Sequence, residues 1–136
     1  MNRVGARWTM AAALLLPAAF VSAQTDAELR GRLVGTWQEA RESGCQKHRQ
    51  QMRLQDDGTF EVSGVIDDCS KVTLFVWRGT WAVKGFRFSY VTTESNARDR
   101  FPVGASFEDE IISVGDDEWV MLEQRSGNRS VAKRQR

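Results

Sequence analysis

The chain has 136 residues, one domain's worth of protein, with 19 basic residues against 18 acidic ones. That balance supplies no basic face for DNA or RNA. The length, with no phosphate-cradling glycine motif, disfavours a multidomain protein and a P-loop or dinucleotide-binding enzyme.

Residues 1–9 carry Arg3 and Arg7 and no acid, residues 10–20 form an apolar run, and Val21-Ser22-Ala23 are small. This is the pattern of a secretory signal peptide, and the run is too short for a stable membrane span. Cleavage would leave residues 24–136 as the folded domain, in which 17 basic residues face 18 acidic ones. Gln24 stands where a lipoprotein would need a cysteine. The expected product is periplasmic or secreted, with no membrane span in its mature form. Cys45 and Cys69 are the two cysteines, and an exported chain favours their pairing. The loop they enclose, about 24 residues, would stabilise the fold by roughly 3 kcal/mol in the chain-entropy account.

Thr25-Asp26-Ala27-Glu28 fits a capping box and predicts a short helix to about Arg32. Beyond it no stretch keeps a helical period. Alternation takes over, punctuated by Gly, Asp, Asn and Ser. Eight strands are predicted, at about 34–40, 50–55, 59–65, 72–83, 86–93, 106–114, 118–125 and 129–134. At the Asp56-Asp57-Gly58 turn, a three-residue loop sets Leu54 opposite Phe60 and Met52 opposite Val62, so both apolar pairs share a face. At the next hairpin, a Lys84-Gly85 turn pairs Val83 with Phe86, Trp81 with Phe88 and Gly79 with Tyr90, with Gly79 leaving room for Tyr90. Both faces are apolar near Ile111-Ile112 and Val120-Met121-Leu122, so that register stays open.

Short connections favour antiparallel neighbours, and eight strands can close on themselves. The predicted architecture is all-β, an eight-stranded antiparallel up-and-down barrel with a short N-terminal helix. In such a meander the first and third loops lie at one end. Cys45 and Cys69 belong to those loops, so a disulfide between them suits the topology.

Leu33-Val34-Gly35-Thr36-Trp37 after a short helix resembles the Gly-x-Trp opening of the lipocalin-like (calycin) barrels. Asp57-Gly58-Thr59-Phe60 and Gly79-Thr80-Trp81 are similar to segments of small bacterial lipocalin-like domains. The resemblance implies that Trp37 plugs the closed end under an arginine from a late strand, Arg125 or Arg134. It implies an opening at the other end, where the disulfide lies. The Thr-Asp-Tyr turn of larger lipocalins is not found, and Glu39 stands where avidins carry an asparagine, so biotin binding does not carry over. Small secreted inhibitors of bacterial metalloproteases are another branch with a signal peptide, such a barrel and one disulfide.

Two functional readings follow. An aromatic face of Phe60, Phe75, Trp77, Trp81, Phe86, Phe88 and Tyr90 could line a pocket for a small hydrophobic or amphipathic ligand, or it could fill the barrel completely. For a carrier, the expected ligand-binding residues are Phe75, Trp77 and Tyr90, with Arg98 and Arg100 meeting an acidic group at the entrance. A filled barrel would instead suit a module that binds a secreted protein partner or inhibits a protease. Arg41, Glu42, Lys47, His48 and Arg49 read as solvated loop charges, and so do Glu108-Asp109-Glu110 and Asp116-Asp117-Glu118. Cys45-x-x-His48 is half a zinc pattern whose other half is missing. No catalytic, metal or cofactor motif is expected.

Overall fold

The computed structural model describes residues 24–136; the predicted signal peptide lies outside them. Helix α1 (Asp26–Leu33) starts with the capping box, Thr25 Oγ1 accepting from the Glu28 amide and Glu28 returning the bond to Thr25. Eight strands follow: β1 (Gly35–Ser43), β2 (Gln46–Leu54), β3 (Thr59–Asp68), β4 (Val72–Lys84), β5 (Arg87–Ser95), β6 (Ser106–Val114), β7 (Glu118–Glu123) and β8 (Arg129–Gln135). All neighbours are antiparallel, and β1 also pairs β8 to close an up-and-down barrel. No helix among the described residues is long and apolar enough to cross a membrane.

The first predicted register holds: Leu54 faces Phe60 and Met52 faces Val62, with Gly58 left-handed at φ +86°. The second is corrected. The two turn residues are Gly85 and Phe86, both left-handed at φ +57° and +59°, with Lys84 paired to Arg87. Val83 therefore faces Phe88, Trp81 faces Tyr90 and Gly79 faces Thr92. The shift of two residues preserves the inward face but expels Phe86, which is 42% exposed. Long-range contacts fix this turn: the Gly85 amide donates to Asp26 of α1, and the Ile111 amide donates to the Phe86 carbonyl. Gly79 makes room for Phe60 rather than Tyr90. A Cβ there would stand 2.8 Å from Phe60 Cε1 and closer still to the Val91 carbonyl, and β5 bulges opposite, with Thr93 the extra residue.

The open register also resolves. A bulge between Ile111 and Ser113 sets Ile111 opposite Met121 and Val114 opposite Trp119. Ile111 and Val114 are thereby buried while Ile112 turns out. The segment expected as the first loop, residues 41–49, is mostly strand. β1 and β2 pair as far as Ser43 and Gln46, and only Gly44-Cys45 turns. These residues are polar on both faces, so they lack the apolar alternation that marks a strand. Ladder bonds and the Cys45–Cys69 disulfide, Cα to Cα 5.2 Å, hold the hairpin in place.

Helix α1 closes one end. Leu29 and Leu33 are buried in the core, and the Trp37 indole N–H donates to the Leu33 carbonyl at 2.8 Å. Arg134 of β8 lies over the Trp37 ring at 4.3 Å. It donates to the carbonyls of Val34 (3.1 Å), Asp116 (2.7 Å) and Arg32. Of the two candidate arginines, Arg134 takes the covering place. Arg125 does not; it sits over Phe107 at 4.3 Å. Arg125 ends β7's path at the disulfide end of the barrel, whereas Arg134 lies at the helix end, so strand direction separates them.

Candidate functional site

Alternation carries inward positions beyond the packed core to the disulfide end: 37, 39 and 41 on β1, 48, 50 and 52 on β2, 119, 121 and 123 on β7. Near the helix these positions are apolar. Farther along they become Glu39, Arg41, His48, Gln50 and Glu123. The change from apolar to polar leaves a cavity of about 310 Å³ above the core. One wall is apolar, made by Trp77, Phe88, Tyr90 and Phe101, and Met52 and Met121 lie on the core side of the polar residues of their own strands. The other is charged and adds Asp109 and Arg125 to the polar residues just named.

The apolar wall is a run of touching rings. Trp77 stacks on Phe101 with centroids 5.0 Å apart and planes within 9°, and it meets Tyr90 at 5.6 Å. Phe88 lies 5.5 Å from Tyr90 and 5.0 Å from Trp119, linking this wall to the closed end. Offset and edge contacts of this kind add about 0.5–1.5 kcal/mol each beyond area burial. Phe101 comes from the connection after β5, whose backbone is tied by Phe101 N–H to the Ala97 carbonyl at 2.8 Å.

The charged wall is networked. Arg41 bridges Glu39 and Glu123, the Gln50 amide donates to Glu39 at 3.0 Å, and His48 Nε2 lies 3.0 Å from Gln50 Oε1. Glu39 is the deepest of the networked ions, its side chain only 10% exposed. Asp109 is buried as well and accepts from the Gln124 amide at a long 3.4 Å. Burial pushes its carboxyl above the ordinary aspartate value, and Glu39 pushes the same way; the Gln124 bond, Arg41 and Arg125 oppose it. Tyr90 is raised chiefly by burial too, so its hydroxyl stays protonated.

The predicted ligand-binding residues divide. Trp77 and Tyr90 line the cavity. Phe75 is 1% exposed and packs beneath Phe101 and His48, filling space that Gly64 leaves open on β3. Arg100 pairs with Asp68 at 3.7 Å on the rim and borders a shallow groove there rather than the cavity. Arg98 is exposed and joins none of the ion pairs among the described residues. Asp109, expected as part of a solvated acidic run, faces inward, because β6 pairs it with Phe88 on one side and Glu123 on the other. Sequence reasoning also missed Glu39, Arg41, Gln50, Glu123 and Phe101. The first four follow the parity set by Trp37, Met52 and Trp119; Arg41 falls in a predicted loop, whereas Glu39, Gln50 and Glu123 fall on predicted strands but are polar where an inward position is expected to be apolar. Phe101 lies on no strand and carries no such signal.

No protein-family model matches this chain, and comparison with curated proteins finds no match. Solved structures do match. One is a lipocalin-like protein from Bacteroides uniformis, with TM-score 0.53 and 15% identity over 77% of this chain and 100% of that one. Another is an uncharacterized protein from Bacteroides eggerthii, with TM-score 0.51 and 13% identity over 75% of this chain and 98% of that one. Identity this low carries the fold alone. By its closed eight-stranded meander, its helix plug and this likeness, the chain has the fold of a small lipocalin-like domain.

Proposed function

We propose that the chain is an exported binding protein, not an enzyme, and that it holds a small amphipathic molecule in the open end of its barrel. The observation that carries this reading is the pairing of an aromatic wall with a charged wall around about 310 Å³. Ligand pockets usually start at about 300 Å³ and join apolar lining to a few placed polar groups. Trp77, Phe101 and Tyr90 offer flat surface to an apolar body, and the opposite wall offers hydrogen bonds to a head group. The disulfide and the lack of a membrane-crossing helix among the described residues are compatible with export.

Native mass spectrometry of protein purified from its own host tests the reading, since a retained small molecule would appear as added mass. Titration with amphiphiles, followed by Trp fluorescence with Trp77→Phe as control, should give a saturable signal that the variant loses. The alternative, a filled barrel acting on a protein partner, has one observation in its favour. Val72 and Leu74, just after Cys69, are 63% and 70% exposed and form an apolar strip on the rim. A bound protein in place of a small molecule in the mass spectrum would select it.

A further inference from the structure

The acids of the cavity are unequally satisfied. Glu39 accepts from Arg41 through one oxygen and from Gln50 through the other. Glu123 shares that arginine and also accepts from Ser126 Oγ at 2.9 Å. Asp109 has neither. It is 7% exposed, its only bond is the long one from the Gln124 amide, and Oδ2 has no partner among the described residues. The remaining arginine of the wall, Arg125, lies over the Phe107 ring instead of on Asp109. Asp109 and Glu123 face each other across the β6–β7 ladder, and like charges so placed repel.

A buried carboxylate is normally paired. Asp109 is not among the fully enclosed unpaired polar atoms of the described residues, so its free oxygen opens on the cavity it lines, and a partner can reach it from there. The same cavity is lined by the rings of Trp77, Tyr90 and Phe101, Tyr90 on the strand beside Asp109, and the faces of such rings attract cations. We propose that the ligand's head group is a protonated organic amine anchored by Asp109, with its apolar body against the Trp77–Phe101 stack. This rests on the reading of the cavity as a small-molecule site. It reverses the expectation that Arg98 and Arg100 would meet an acidic group: those arginines lie off the cavity, and of the two that line it Arg41 is already bridged to Glu39 and Glu123 while Arg125 lies over Phe107. Among the described residues no three His, Cys, Asp or Glu side chains gather as a metal site would need, so an organic cation fits this wall better than a metal ion.

Calorimetric titration at neutral pH with 2-phenylethylamine, 2-phenylethanol and phenylacetate tests the proposal, because the three share a body and differ in head-group charge. The amine should bind at least about tenfold tighter than the alcohol, and phenylacetate weakest of the three. Asp109→Asn should bring the amine down to the alcohol's affinity while leaving the alcohol within about twofold. Should that variant fail to fold, the ranking on the unmodified protein still decides. Alcohol or phenylacetate binding as tightly as the amine would overturn the cation and leave the pocket standing. So would saturable binding of a neutral amphiphile in the fluorescence titration with none of the amine. No saturable binding of any probe in either titration overturns both.

Discussion

The two ends of the barrel use the same strands and the same inward parity, yet they are built from different chemistry. At the helix end the inward positions are Trp37, Leu54, Trp81 and Trp119, all buried. Helix α1 is fastened there to successive connections: Arg30 to Asp56, Asp26 to the Gly85 amide, and Arg32 to the Val114 carbonyl. At the disulfide end the same parity presents Glu39, Arg41, His48, Asp109 and Glu123 around a cavity. Buried ions stabilise a fold poorly, because desolvation offsets most of their attraction. The barrel therefore concentrates apolar packing at one end and places charge at the other, where the disulfide holds the rim. Charge at the open end is sustainable because stability is supplied elsewhere.

The largest expected effect lies at the closed end. Trp37→Ala removes a ring that touches Trp119 at 5.7 Å, lies beneath Arg134 and donates to Leu33. It should cost about 3–5 kcal/mol in denaturant unfolding. Replacing Cys45 and Cys69 together by serine should cost about 3 kcal/mol, from loop closure rather than packing. A greater loss from the cysteine pair than from Trp37→Ala would break the contrast, since the open end would then hold the fold together.

A change at the open end should go the other way. Burial raises the Asp109 carboxyl above its ordinary value of 3.8. Below that value folded and unfolded chains both keep the proton, and Asp109 takes nothing from stability. As pH rises, the unfolded state loses its proton first, and the folded state becomes relatively less stable until its own raised value is passed. Asp109→Asn should therefore melt at a higher temperature than the parent protein at neutral pH, and the gap should close as pH falls towards the ordinary aspartate range. Thermal melts across pH measure this directly. A variant less stable at neutral pH would mean that Asp109 contributes structurally, as the residues of the closed end do.

The fold was legible because its signals are local: the capping box, the alternation of Phe60 with Val62, and the three-residue Asp56-Asp57-Gly58 loop each carry their own geometry. Cys45 and Cys69 were placed at one end by strand parity alone. The site was legible only where it is aromatic, at Trp77 and Tyr90. Its charged half was hidden for two reasons: residues 41–49, polar on both faces, look like a loop until their partner strand is known, and Glu39, Gln50, Asp109 and Glu123, although on predicted strands, are polar where the core face is expected to be apolar. The choice between Arg125 and Arg134 rested on which end each strand finishes at. That follows from the strand count. Asp109 looked solvated because Glu108 and Glu110 beside it are.

The smallest effect concerns the corrected turn at the closed end. Gly85 and Phe86 both take left-handed backbone, the geometry of a two-residue hairpin turn that matches strand twist. Glycine accepts it freely, whereas a residue with a Cβ is strained there by about 1–2 kcal/mol. Phe86 bears that strain while 42% exposed, so its ring recovers little by burial. Its carbonyl accepts from Ile111 at 2.7 Å, a backbone bond that any residue can make. Phe86→Asn should therefore stabilise the protein by up to about 1 kcal/mol, asparagine being among the residues that tolerate left-handed backbone. Chemical denaturation would show a higher midpoint with an unchanged slope. A clear loss of stability would mean that the Phe86 ring serves the closed end through packing on the strand surface, and the turn would owe its register to that ring instead of to Asp26 and Ile111.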